Sequence, residues 1–119
     1  MSGEVSWVLE LEIYQGRQDD LRKLAAEMIA ATKANEPDTL SYEWSISADG
    51  KQCHILERYV DSAALLTHVT TFGEKFAGRF LEILQPARFV VYGSPSAAAR
   101  DAIADFQPVY MQGLGGFNR

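Results

Sequence analysis

The stretch TLSYEWSISADGKQCHILERY, residues 39–59, decides the fold. Its first half alternates strictly. Leu40, Tyr42, Trp44 and Ile46 fall on one side of an extended chain, and Ser41, Glu43, Ser45 and Ser47 on the other. That period of two marks a strand with one buried face. Ala48-Asp49-Gly50-Lys51 then reads as a hairpin turn, with Asp-Gly at its centre supplying the positive φ such turns need. Gln52 to Tyr59 returns as a third strand, antiparallel to the second.

Upstream, residues 5–14 alternate in the same way: Trp7, Leu9, Leu11 and Ile13 face one side, Glu10 and Glu12 the other. After Gly16 the spacing turns helical from Arg17 to Asn35, where Leu21, Leu24, Ala25, Met28, Ile29 and Thr32 form one stripe. Asp19 and Asp20 favour the positive end of the helix dipole, and Asn35-Glu36-Pro37 closes the helix. Downstream, Asp61 reads as an N-cap for a helix beginning at Ser62. Thr70 to Gly73 interrupts it. A second helical stretch, Glu74 to Leu84, places Phe76, Phe80, Leu81 and Leu84 on one side and stops at Gln85-Pro86. Ala87 to Tyr92 is the fourth strand. The order β-α-β-β-α-β predicts an α+β, ferredoxin-like antiparallel sheet with helices on one face.

The 119 residues suit one domain. The reading divides them into a ferredoxin-fold domain over 1–93 and a C-terminal extension over 94–119, packing on the domain or on a dimer partner. In the extension Ser94 is the expected N-cap, Pro95 the first helical residue, Ala104 about the last, and Val109 to Met111 a short strand. The glycines of Gly113-Leu114-Gly115-Gly116 precede no helix, so a phosphate cradle is not expected there.

With 16 acidic against 11 basic residues, a formal charge of −5 and no basic stripe, nucleic acid and anionic membrane are not expected partners. No run approaches the length of a membrane span, and the N-terminal segment Met1 to Trp7 lacks the pattern of a secretory leader. The lone Cys53 has no disulfide partner within the chain. A cytoplasmic setting is the expectation.

Few residues suggest chemistry. Cys53 and His54 adjoin on a strand and point to opposite faces, so they do not share an ion, and no metal site is expected. No serine stands in a nucleophile elbow. The aromatic cluster says more. Tyr42 and Trp44 share a sheet face that Phe72, Phe76 and Phe80 should cover. His68 and Glu57 would stand at the wall of a cavity there, suited to a flat aromatic ligand. Plain core packing is the leading explanation of these aromatics.

The run Leu56-Glu57-Arg58-Tyr59-Val60-Asp61-Ser62-Ala63-Ala64-Leu65, followed by His68, resembles the antibiotic biosynthesis monooxygenase family, as does Leu40-Ser41-Tyr42-Glu43 before the hairpin. The resemblance implies a homodimeric α+β barrel. It also implies a cofactor-independent monooxygenase of a small aromatic or quinol, with His68 as base, Glu57 beside it, and Trp44, Tyr42, Tyr59, Phe72 and Phe76 around the ring. The Asn, Trp and Tyr of such oxygenases fall on Ile55, Tyr59 and Leu65, so one aromatic of that set carries over. Other relatives imply a small-metabolite isomerase or lyase, with His68 and Glu57 as acid and base and Arg58 or Arg88 as anion contact. A non-catalytic small-molecule-binding module is the third reading. Alternation predicts a polar reverse sheet face (Glu10, Glu12, Ser41, Glu43, Ser45, Ser47), unsuited to a dry sheet-on-sheet contact.

Overall fold

A computed structural model describes residues 3–119; Met1 and Ser2, part of the N-terminal segment read for targeting, lie outside the described residues. The strands are β1 (Val5–Ile13), β2 (Thr39–Ile46), β3 (Gln52–Tyr59), β4 (Leu84–Tyr92) and β5 (Val109–Met111). They form one open sheet in the order β2-β3-β1-β4-β5, antiparallel except for the parallel β4–β5 pair. The helices are α1 (Gln18–Asn35), α2 (Ser62–Thr71), α3 (Ala77–Ile83) and α4 (Ala97–Ile103). The β-α-β-β-α-β order read from the sequence is the order observed. No helix of the described residues is long and apolar enough to cross a membrane.

Alternation places the core. Val5, Trp7, Leu9, Leu11 and Ile13 of β1 are all buried, as are Cys53, Ile55, Glu57 and Tyr59 of β3. Against them lie Leu21, Leu24, Met28 and Thr32 of α1, the i, i+3, i+7, i+11 stripe that a 3.6-residue period puts on one face. Leu65 and His68 of α2, with Phe80 and Ile83 of α3, complete the layer. The hairpin turns as expected, with Gly50 at φ +72° and its N–H bonded to the Ser47 carbonyl at 3.0 Å. Asp61 caps α2 through its carboxylate, which accepts the Ala64 N–H at 2.9 Å.

Five local expectations are corrected. The pairing of β2 with β3 shifts between Thr39 and Ser41, so Leu40 drops out of the alternation and is 46% exposed. The helical path does not break at Thr70–Gly73. It continues from α2 into α3 through a π-helical turn, Phe72–Phe76, with Phe72's N–H still bonded to His68 and Val69 carbonyls. Leu81 is exposed rather than packed. β4 begins at Leu84 and contains Pro86: β5 pairs only with Val90–Tyr92, so Pro86 stands where β4 is a sheet edge, beside the register shift that bulges Ala87. Finally, the cap of α4 is Ser96, not Ser94, its hydroxyl accepting the Ala99 N–H at 3.1 Å, and a 3-10 turn, Ala104–Phe106, follows the helix.

The reverse sheet face is also less polar than alternation alone indicates. Register aligns Leu56, Val8, Val90 and Val109 in a row across four strands, with Tyr92 beside Met111. The charged residues border that row. Arg58 donates from Nε to Glu4 Oε1 at 2.7 Å, and Arg88 Nη1 lies 3.9 Å from Glu10 Oε2.

Candidate active site

Between the sheet and α2 lies a cluster of buried ionisable groups. His68, on the second turn of α2, is held from both sides: Nδ1 is 2.8 Å from Glu36 Oε1, and Nε2 is 3.2 Å from Glu57 Oε1. All three side chains are less than a tenth exposed. Glu57 also accepts a short hydrogen bond from the Tyr59 hydroxyl. Tyr42 sets its ring edge-on to the imidazole, with centroids 5.1 Å apart.

Each group is positioned by its element. Glu57 and Tyr59 occupy inward positions of β3, two residues apart on one face. Glu36 closes α1, its backbone N–H bonded to the Thr32 carbonyl, and falls four residues after buried Thr32 at the end of the apolar stripe. His68 is three residues after Leu65 and so shares its buried side.

The electrostatics follow from burial and pairing. Burial alone would drive the His68 pKa down. The hydrogen bonds to Glu36 and Glu57, and the charge of both carboxylates, outweigh it and push the value up to about 9. At neutral pH His68 is therefore an imidazolium between two carboxylates: a proton donor and an orienting group rather than a free base. The Tyr42 phenol is driven up from its ordinary value by burial first, then by the charges of Glu57 and Glu36, and stays protonated. Tyr59 rises for the same reasons, its hydrogen bond to Glu57 adding to them. Cys53 is pushed up to about 11 by burial, a buried thiol rather than a reactive one.

The cluster faces a cavity of about 50 Å³. Glu57, His68 and Tyr42 supply its polar wall; Trp7, Phe72, Phe80, Phe89 and Phe106 supply most of its aromatic one. The Trp7 indole N–H is buried with no hydrogen-bond partner among the described residues. The Trp44 N–H, outside the cavity lining, is unmet in the same way; a donor of this kind costs about 1–3 kcal/mol.

Of the residues predicted from sequence, the fold brings His68, Glu57, Tyr42 and Phe72 to the cavity. Tyr59 stands behind Glu57 and does not line it. Trp44 packs edge-on to Tyr42 and Phe80 at centroid distances of 6.0 and 6.1 Å, one layer away. Phe76 packs on the core outside the cavity. Arg58 and Arg88 lie away from it, paired with carboxylates at the sheet's reverse face, so no guanidinium awaits an anionic substrate there. Sequence reasoning missed Glu36, although a carboxylate in register with the buried stripe was a usable signal. It also missed Trp7, Phe89 and Phe106 as cavity walls. Among the described residues no group of three or more His, Cys, Asp and Glu is arranged to hold a metal ion, and both His68 nitrogens already face carboxylates.

The fold and the buried acid–base cluster define a one-sheet α+β domain with a small cavity between sheet and helices. The chain belongs to the antibiotic biosynthesis monooxygenase family, whose model matches residues 5–88. Among solved structures it is similar to MupZ from Pseudomonas fluorescens, with 24% identity, a TM-score of 0.86, and coverage of 98% of this chain and 94% of that one. That likeness, of fold alone, extends through the C-terminal helix and strand. Rv0793 from Mycobacterium tuberculosis (26% identity, TM-score 0.64, 80% of this chain and 98% of that one) is also similar. So is a candidate antibiotic biosynthesis monooxygenase from Caulobacter crescentus CB15 (26%, 0.63, 76% and 86%). No curated protein matches the chain.

Proposed function

We propose that this protein is an enzyme that moves protons on a small, mostly apolar molecule carrying a neutral oxygen function, in an isomerase- or lyase-type conversion. The observation that carries the reading is His68 held at 2.8 and 3.2 Å between Glu36 and Glu57, beside an otherwise apolar cavity. Glu57 takes a proton from the substrate. The Tyr42 phenol and the Trp7 N–H donate to the substrate oxygen on which charge develops. Cationic His68, with both ring nitrogens on carboxylates, fixes Glu57, and Glu57 itself returns the proton, either to another substrate atom or to a departing hydroxyl that leaves as water. Two carboxylates against one imidazolium leave the site net negative, so anionic substrates are disfavoured and neutral ones fit.

A second reading draws on the family match itself. There Glu57 deprotonates a quinol or phenol, and the electron-rich anion adds to O₂. The O–O bond then breaks, one oxygen atom staying in the quinone-level product and the other leaving as water, with all the electrons supplied by the substrate. His68 is not the base in this version either, because it is already protonated at neutral pH. The experiment separating the two uses neutral hydroxy and carbonyl compounds in D₂O under argon and under air, followed by NMR and an oxygen electrode. Deuterium incorporation or product under argon, reduced about 100-fold or more by Glu57→Gln, supports the proton-transfer reading. Turnover that needs oxygen supports the second. Binding without either outcome leaves a non-catalytic module. We also infer a homodimer through the row Leu56, Val8, Val90 and Val109, and a reducing, cytoplasmic setting consistent with the single buried Cys53.

A further inference from the structure

The cavity beside His68 is too small to be the whole binding site. Its volume of about 50 Å³ accommodates a few water molecules. Sites for drug-sized ligands run to roughly 300–1,000 Å³. On the far side of Phe72, Phe89 and Phe106 lies a groove of about 560 Å³, floored by Ala77, Leu81, Pro86 and Ala87 and bordered by Arg88, Asp105 and Val109, the last also the end of the row inferred to meet a second copy. The same three phenylalanines line both spaces.

They are not equally fixed. Phe89 sits on β4, buried and packed edge-on to Trp7 at 5.0 Å. Phe72 and Phe106 are only partly buried, and each stands on irregular backbone. Phe72 opens the π-helical turn, a local widening of a helix that is common at functional sites. Phe106 ends the 3-10 turn, directly before Gln107 at φ +53°, the one non-glycine residue with positive φ among those described. Their rings are 6.2 Å apart, centroid to centroid. The two less buried parts of the wall thus coincide with the two irregular turns of the chain.

We propose that cavity and groove are two chambers of one elongated binding site, divided by Phe72 and Phe106. The ligand is a neutral molecule with an oxygen-bearing head and an unbranched apolar arm. The head takes the inner chamber against Tyr42, Glu57 and His68, and the arm passes between the two phenylalanines into the outer groove. The inner half of this assignment rests on the reading of the cavity as a ligand site.

The test uses binding only, so its result is independent of whether the protein turns anything over. Affinities of para-alkylphenols, from methyl to hexyl, are measured by titration calorimetry on the full chain. The expected result is an affinity that climbs about three- to fourfold per methylene until the groove is filled. Ala87→Trp changes an exposed residue that lines the groove but not the cavity. It should abolish the climb while leaving para-methylphenol affinity unchanged, and Ala77→Trp, introduced from the helical side of the groove, should do the same. Affinity flat with arm length, absence of binding by every member, or a climb that survives both variants overturns the proposal. Binding of the long members that disappears as protein concentration rises overturns it too, since a second copy then owns the groove. If the climb is present and no substrate is ever turned over, the two-chamber site stands and the enzymatic reading fails.

Discussion

Glu36 decides what His68 is. Without the Glu36 charge, burial would have only Glu57 opposing it, and the imidazole should lose much of its upward shift. Glu36→Gln keeps the size and a hydrogen-bonding group but removes the charge. The expected outcome is a His68 pKa lowered by about one unit or more, read from side-chain NMR titration. A merely space-filling Glu36 would leave that titration unchanged. The same pairing makes stability depend on pH in a direction that can be worked out. The native pKa of about 9 exceeds the ordinary value of 6.5, so the folded state binds the proton more tightly. The resulting stabilisation is complete below about pH 6.5 and is lost as pH rises through 9. Its size is of order 3 kcal/mol at most. Urea unfolding at pH 6, 8 and 9.5 should therefore show a decline in wild type that is largely absent in His68→Asn. Above that range the raised Cys53, Tyr42 and Tyr59 groups add losses of the same sign.

Between residues and the whole molecule, the elements carry their own constraints. Gly93 ends β4 at φ +106°, and a Cβ there would lie 2.8 Å from the Glu4 carbonyl oxygen. Both the backbone angle and the close approach demand glycine. Gly93→Ala is expected to lower unfolding free energy by about 2 kcal/mol or more in chemical denaturation, with an unchanged slope. This scale also shows what the sequence discloses. The hairpin around Asp49-Gly50 and the alternation of β1 and β3 are legible because each rests on nearest neighbours. Glu57 is legible as a polar residue in an inward register. The bulges at Leu40 and Ala87 are not, because register shifts are set by the neighbouring strand. Pro86 reads as a stop until β5 is known to leave that part of β4 as an edge. The π-helical turn hides behind Gly73, which looks like a break yet lies inside a continuous helical path. Glu36 is illegible as a partner of His68 for a plainer reason: 32 residues separate them, and only the folded sheet brings α1's end to α2.

At the scale of the whole molecule, the two sheet faces have different tasks. The helix-covered face holds the buried cluster, and the other presents an apolar row bordered by ion pairs. Leu56 and Val109 at the ends of that row are 42% and 48% exposed, and neighbouring Tyr92 and Met111 43% and 48%. Between Leu56 and Val109, Val8 is half-buried and Val90 buried, so the exposed apolar surface lies at the two ends of the row. It calls for cover, and a second copy offers a row that matches its own under two-fold symmetry. The bordering charges, with Arg58 joined to Glu4 and Arg88 near Glu10, already have intrachain partners, so they need not be desolvated unpaired at the rim. Leu56→Lys places a charge at the end of the row. Its outward position, opposite in parity to Glu57 on the same strand, keeps it out of the cavity. The expected outcome in sedimentation velocity is a dimer for the natural protein and a shift toward monomer for the variant. Its dissociation constant should rise about 30-fold or more, since the dimer would have to desolvate an unpaired ammonium against apolar side chains. The His68 titration should stay where it was, since the substitution lies across the sheet from the imidazole. A wild-type protein that sediments as a monomer at every concentration would rule out the row as a homodimer interface. A variant as dimeric as wild type would locate the interface elsewhere, with the exposed Leu114 and Phe117 of the C-terminal segment as the next surface to alter.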